Sequence, residues 1–403
     1  MPASDRGPPA HPPPVPHLRE RYPRLAGSLP AVRLGTYPTP VEPLTALARA
    51  VGLDAGTELY VKRDDLSGEP HGMSKVRKLE LYLGEALARG ARRVATVGPL
   101  GSNHALATTV YGRALGLEVD LRLWPEPVTP RVRDTVLAAV SLGARVELVG
   151  VGGDDPLVRA VLGEDAGPGP GPGPAPTPGP EMATGDTYFV PPAGTDPVGA
   201  VGYVECALEL AAQIGRGEAP RPDLVHVAGG TGGVSAGLAV GLALAGLGGV
   251  RVASVRAVSR ALLHDARLLI LSRRTYERLE RLAGGPEGGE PPSGDGGRGA
   301  LGAPPPGRDA FLVLHEHAGE GYGVPTEEAE RARRLFAGEA GLVLDPVYTA
   351  KAAAGLLAFA ASPGGRGRRH LFLHTYGERD LAPLAAGARA ADLPPALAEL
   401  LGH

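Results

Sequence analysis

Cysteine is nearly absent from this chain: Cys206 is the only one in 403 residues. That excludes an internal disulfide framework and any cysteine-cluster metal site, and no metal is expected. Cys206 lies in a helix-like run, 203–214, and reads as a small core residue. Lysine is almost as scarce, with Lys62, Lys75, Lys78 and Lys351 set against 37 arginines. No dense block of basic residues occurs and the net charge is -3, so neither nucleic acid nor an anionic membrane is an expected partner. Residues 1–16 are rich in proline and lack a basic segment followed by an apolar one. They are not a secretory signal, and a cytoplasmic location is expected. Long apolar runs are missing too. The longest uncharged stretch, 232–250, has the length of a membrane helix, but glycine and alanine dominate it, which fits a helix buried closely against a sheet.

What the chain does contain is enough for a full core: 43% of its residues are hydrophobic and 21% charged, at a length that predicts two domains. Glycine (60) and proline (42) make up about a quarter of it, near the composition of disordered chains. The excess is local. Residues 1–32 read as a Pro-rich disordered or extended segment. Residues 163–180 and 283–308 lack apolar periodicity and read as disordered surface insertions. Elsewhere short apolar runs (58–63, 93–97, 118–123, 145–149, 187–190, 224–228, 251–258, 311–316 and 370–374) alternate with amphipathic ones, for example 75–89, 103–115, 130–142, 198–214, 234–245, 326–340 and 349–361. This alternation predicts an α/β protein with parallel sheets covered on both faces. Ligands of such folds bind beyond the carboxyl ends of the strands.

Three features could carry chemistry there. A chain that has replaced nearly every lysine by arginine makes each survivor informative, since only lysine condenses with a carbonyl cofactor or acts as a base after its pKa falls. Three of the four lie between positions 62 and 78; Lys351 reads as a surface remnant. The second feature is Ala228-Gly-Gly-Thr-Gly-Gly-Val-Ser-Ala-Gly237, between a strand and a helix. It is either a phosphate site built from backbone amides or a structural turn. It lacks the Gly-Lys-Ser/Thr ending of a nucleotide-binding loop, so a phosphate there would belong to a cofactor. The third is Gly98-Pro-Leu-Gly-Ser-Asn-His104, where Ser102 and Asn103 either bond a ligand or serve as a helix N-cap.

Together these pieces resemble the D-cysteine desulfhydrase and 1-aminocyclopropane-1-carboxylate deaminase family, pyridoxal-phosphate enzymes of the tryptophan-synthase-β fold (fold type II). Val61-Lys-Arg-Asp-Asp followed by Gly72-Met-Ser-Lys-Val-Arg-Lys-Leu-Glu80 is similar to the family's lysine segment. The likeness continues through Gly101-Ser-Asn-His104, 192–203, the glycine loop, Gly321-Tyr-Gly-Val-Pro325, Leu344-Asp-Pro-Val-Tyr348 and His374-Thr-Tyr-Gly377. Seven segments in order, from about Arg33 to Gly377, make accidental similarity improbable. The resemblance implies two three-layer domains with pyridoxal 5'-phosphate between them. A large domain would comprise 33–78 and 186–403, a small one 79–185. By the same resemblance Lys75 is the Schiff-base lysine and Lys78 helical surface. Asn103 bonds the cofactor's ring hydroxyl, and Ser102 touches the substrate carboxylate or the cofactor. Thr231, Gly232, Gly233, Val234 and Ser235 hold the phosphate, Thr375 bonds the pyridine nitrogen, and Tyr322 and Tyr348 face a small amino-acid substrate. A homodimer is the family's expectation.

This chain departs from the family's usual Gly-Gly-Asn-Lys, Gln-Ser-Asn and His-Thr-Gly-Gly at Met73, Ser74, Gly101 and Tyr376, all near the expected cofactor or substrate. It carries Thr349 and Thr375 where deaminases have Glu and Leu, and it shares both threonines with desulfhydrases. A glutamate after Tyr348 could bond the ring nitrogen, and threonine would be a weaker, neutral partner. The implied reaction is therefore β-elimination from a D-cysteine-like amino acid, giving pyruvate, ammonia and sulfide. The alternatives are cyclopropane ring opening, a related β-eliminating or β-replacing enzyme of specialised metabolism, and a catalytically silent paralogue.

Overall fold

The computed structural model describes residues 14–69, 71, 73–149, 185–284, 299–321, 323–377, 380–388 and 392–402. The expected insertion 163–180 lies outside them. Strands β1 (Val41–Pro43), β2 (Glu58–Lys62), β3 (Arg93–Pro99), β4 (Glu118–Trp124), β5 (Arg145–Leu148), β6 (Thr187–Phe189), β7 (Leu224–Gly229), β8 (Arg251–Arg256), β9 (Phe311–Leu314) and β10 (Arg369–Leu373) form two sheets. One runs β1-β2-β10-β7-β8-β9, the other β5-β4-β3-β6. Every pairing is parallel except β1 with β2. Central strands such as β7 are buried at almost every position, while β4 alternates, turning Val119, Leu121 and Leu123 into the core. That is the difference between a strand covered on both faces and one covered on a single face.

The helices are α1 (Pro16–Arg21), α2 (Leu25–Ser28), α3 (Thr45–Ala50), α4 (Lys75–Ala88), α5 (Asn103–Ala114), α6 (Pro130–Ser141), α7 (Pro197–Gly215), α8 (Gly233–Leu244), α9 (Asp265–Gly284), α10 (Glu327–Ala340), α11 (Thr349–Ala361), α12 (Ala382–Ala385) and α13 (Pro395–Leu401). Local chemistry starts several of them. Asp196 accepts from the amides of Val198 (2.7 Å) and Gly199 (3.1 Å) with Pro197 in the first turn of α7. Thr129 caps α6, and Thr326 caps α10 ahead of three glutamates. These are the acceptors and charges a helix N-terminus requires. The glycine-rich run 232–250 contains α8, packed on α7. No helix among the described residues is long and apolar enough to cross a membrane.

Four expectations differ from the structure. Residues 14–32 are not a free extended segment: Leu18, Leu25 and Leu29 are buried, and the Glu205 carboxylate accepts from the amides of His17 and Leu18, both at 2.9 Å. Within 283–308 some of the described residues pack on the core, though most are exposed. Ala283 ends α9 in the core, Leu301 is buried, and the Tyr276 hydroxyl donates to the Ala303 carbonyl at 2.6 Å. Strand β6, expected in the large domain, pairs with β3 in the smaller sheet. Leu381, Leu393, Leu397 and Leu401 join the core around that sheet, although 186–403 was expected to stay with the large domain. In each case a few apolar side chains, too sparse for a periodic signal, find a partner surface from another part of the chain.

Candidate active site

A cavity of about 600 Å³ opens where the strand ends of both sheets meet. It is lined by Lys75, Ser102, Asn103, Thr231, Gly232, Gly233, Val234, Ser235, Tyr348 and Thr375. These are all the expected site residues except Tyr322, which lies outside the described residues. Met73, Ser74, Gly101 and Tyr376 line it as well.

Lys75 is the first residue of α4, and its amine donates to the Ser74 hydroxyl at 3.2 Å. Burial lowers its pKa to about 8, against the opposing pull of the Asp345 carboxylate. Loss of solvation disfavours the charged amine, so neutral base is available near physiological pH. The turn bearing Lys75 is held from below by a buried ionic network. The Arg77 guanidinium donates to Asp64 (2.7 Å) and Glu209 (3.0 Å), and Lys62 to Glu209 (2.6 Å). The Tyr203 hydroxyl donates to Asp64 (3.1 Å) and to the carbonyl of Ser74 (3.4 Å). Such a network is costly to dehydrate and tolerates little displacement, which suits a residue that must be placed accurately.

Lys78 departs from its expected place on the helix surface. It is buried and lines the same cavity, its amine donates to the Ala193 carbonyl at 2.9 Å, and a Cβ on Gly233 would lie 3.2 Å from it. Burial, then the charge of Lys75, drives its pKa well below the ordinary lysine range. The signal was its i, i+3 spacing from Lys75, which places both on one helical face. Lys351 is no surface remnant either: it is fully buried, and its amine donates to the carbonyls of Ala318 (2.6 Å) and Gly321 (3.1 Å), both in the cavity wall.

The glycine loop ends β7 and opens α8. Gly232 has φ of 91°, and a Cβ at Gly229 would strike the Leu263 side chain at 2.4 Å. The first amides of α8 have no partner within the helix and face anions favourably. The Ser235 hydroxyl is engaged with Ser254 at 2.9 Å, so that residue offers its amide. Across the cavity Ser102 caps α5, its hydroxyl accepting from the Ala105 amide at 3.2 Å. The neighbouring Asn103 has its Oδ1 buried without a hydrogen-bond partner. His104, also in the lining, is kept neutral by burial and then by the charges of Lys75 and Lys78.

Two further residues bind this architecture together. The Thr375 carbonyl accepts from the Ser74 amide at 3.2 Å, tying the end of β10 to the lysine turn. Asp345 accepts from the amides of Val347 (3.1 Å), Tyr348 (2.8 Å) and Thr349 (2.8 Å). The Thr349 hydroxyl donates to Asp345 at 2.6 Å. Thr349 was expected to stand as a weak partner for a ring nitrogen; instead its hydroxyl secures the turn that presents Tyr348. Sequence reasoning thus missed Lys78, His104 and Asp345. Only the first had a spacing signal.

Two amines and a helix N-terminus supply donors for an anionic ligand in one cavity, and an orphaned amide oxygen there would accept from a hydroxyl on its ring. Comparison with known proteins agrees. The model of the pyridoxal-phosphate-dependent enzyme family matches residues 32–375. A putative 1-aminocyclopropane-1-carboxylate deaminase of Pyrococcus furiosus is 31% identical over 88% of this chain and 93% of its own. A nocardicin C-9' epimerase of Nocardia uniformis subsp. tsuyamanensis is 32% identical over 92% and 98%. A D-cysteine desulfhydrase of Yersinia pestis is 32% identical over 79% and 84%. The crystal structure of an ACC deaminase homologue superposes with a TM-score of 0.67 at 27% identity, covering 90% of this chain and 98% of that one. The chain belongs to the pyridoxal-phosphate-dependent enzymes.

Proposed function

We propose that this pyridoxal-phosphate-dependent lyase eliminates a β-substituent from a small D-amino acid, D-cysteine or a close analogue, releasing pyruvate and ammonia together with the leaving group. The observation that carries the reading is Lys75, an amine with a pKa of about 8 in one cavity with a glycine loop that heads a helix. The amides of residues 231–235 and the Lys78 amine would hold the phosphate, Asn103 the ring hydroxyl, Thr375 the pyridine nitrogen and Lys75 the carbonyl. When bound, the cofactor supplies an electron sink for charge at the substrate's α-carbon. Lys75 would then take the α-proton as a general base. Ser102 orients the carboxylate, and Tyr348 and Tyr322 exchange a proton with the leaving group. A substrate without an α-proton, such as the cyclopropane amino acid, would give Lys75 no such role. The assembly and location that go with this reading are a homodimer in the cytoplasm.

A second reading is α-proton exchange without elimination, favoured by the nearly full-length match to the epimerase. It shares the proton-abstraction step and differs in that the β-substituent stays on and a proton returns to the α-carbon.

Two measurements test these readings. Borohydride reduction of the holoenzyme should fix the cofactor on the peptide containing Lys75; label on Lys62, Lys78 or Lys351 would refute Lys75 as the anchoring lysine. Incubation in D2O with D-cysteine, β-chloro-D-alanine or 1-aminocyclopropane-1-carboxylate should yield pyruvate from the first two. Deuterium at the α-carbon without oxoacid would establish the second reading, and 2-oxobutyrate from the ring substrate at comparable kcat/KM would overturn both.

A further inference from the structure

Met73, two residues before Lys75, has φ of 79°. In this left-handed region a Cβ crowds the following carbonyl, so glycine sits there freely and methionine does not. The surroundings leave the backbone little choice. The Met73 carbonyl accepts from the Ser67 hydroxyl (3.2 Å) and the Val76 amide (3.3 Å), and the next amide, that of Ser74, donates to Thr375. What the strain retains is a side chain. Met73 is 3% exposed, yet it belongs to none of the apolar clusters that make up the cores of the described residues. Its place is the wall of the cavity that holds Lys75. Held strain at a cavity wall is the pattern expected when the side chain serves the site and not the fold.

We propose that Met73 determines which amino acids the enzyme accepts. Its thioether arm occupies the space beside Lys75 that a larger substrate side chain would need, and so restricts the site to short side chains. A methionine is suited to this, being long, unbranched and able to fill an irregular gap. The proposal rests on the reading that the cavity lined by Lys75 engages an amino acid.

The test uses holoenzyme of wild type, Met73→Gly, Met73→Ala and Met73→Leu, titrated with D-alanine and D-serine against D-methionine and D-phenylalanine. The readout is the change in cofactor absorbance, which reports binding whether or not turnover occurs. Met73→Gly and Met73→Ala should shift the large-to-small affinity ratio toward large side chains by about tenfold or more, the scale on which an apolar pocket discriminates. Met73→Leu should stay near wild type, and cofactor content and borohydride labelling of Lys75 should be unchanged throughout. Large and small ligands shifting in parallel would overturn the proposal, as would loss of cofactor from the variants, which would make Met73 a cofactor or folding residue. If the wild type, labelled on Lys75, responds to no amino acid, the amino-acid reading itself fails and this proposal with it. Absence of label on Lys75 sinks the assignment of the lysine alone, because the affinity ratios are read independently of it.

Discussion

Two of the four lysines, Lys62 and Lys351, occupy places that a guanidinium would fit poorly. Lys62 donates to Glu209 (2.6 Å), Gln213 (2.8 Å) and the Thr39 carbonyl (3.1 Å), three acceptors converging on one nitrogen. Lys351 meets two carbonyls in the same way. A compact ammonium with three rotatable donors suits such pockets, whereas the planar fork of arginine suits a paired carboxylate, as Arg77 does at Asp64. Lys351→Met should therefore leave the Ala318 and Gly321 carbonyls without their partner. The expected cost is about 1–3 kcal/mol in urea unfolding, with KM raised because both carbonyls belong to the cavity wall. An unchanged unfolding midpoint would show that water replaces the amine without penalty.

At the scale of elements, the packing of α7 on α8 sets how closely the glycine loop approaches the rest of the site. A Cβ at Gly237 would lie 2.2 Å from the Ala200 carbonyl, and one at Gly241 would lie 2.5 Å from that of Val204. Backbone atoms cannot swing aside as a side chain can. Gly237→Ala should destabilise by about 1–3 kcal/mol through overpacking, despite the better helix propensity of alanine. Gly338, exposed in α10 with nothing within 4 Å of its would-be Cβ, provides the contrast. There alanine should stabilise by about 0.5–1 kcal/mol. Thermal and urea unfolding of both variants check the pair; the same sign at both positions would contradict the packing argument.

Across the whole molecule, buried titratable groups make stability depend on pH in opposing senses. Burial, then His370, holds His226 well below the ordinary histidine range, and the His226 Nε2 lies 2.9 Å from His370 Nδ1. An unfolded histidine binds its proton near pH 6.5 and the folded one resists it, so this contribution is intact above about 6.5 and is lost as the pH falls below it. Glu205, raised to about 7 by burial while it holds α1, works the other way between its unfolded value and 7. The histidine share is thus best read as a difference. The stability of wild type relative to His226→Gln should decrease from pH 7.5 to 5.5, by up to about 1.4 kcal/mol per pH unit once below 6.5. A difference that is flat or grows on acidification would show that His226 is not held neutral.

The sequence alone determined the alternation of strands and helices, the loop at 228–237 and the lysine segment, because periodicity and turn chemistry are properties of neighbouring residues. Among the described residues, nine of the ten strands lie where short apolar runs placed them; β1, three residues long, is too short to show a pattern. Tertiary structure alone decided which polar groups meet. Lys78 and Lys351 are buried, Thr349 serves Asp345, and Glu205 holds a helix 187 residues away in sequence. It also decided that the N-terminal helices, residues near 301 and the C-terminal leucines pack on cores. The physical reason is the same throughout. A buried charge or an isolated leucine is stabilised by partners brought together by the chain's path through space, and no local pattern records that path.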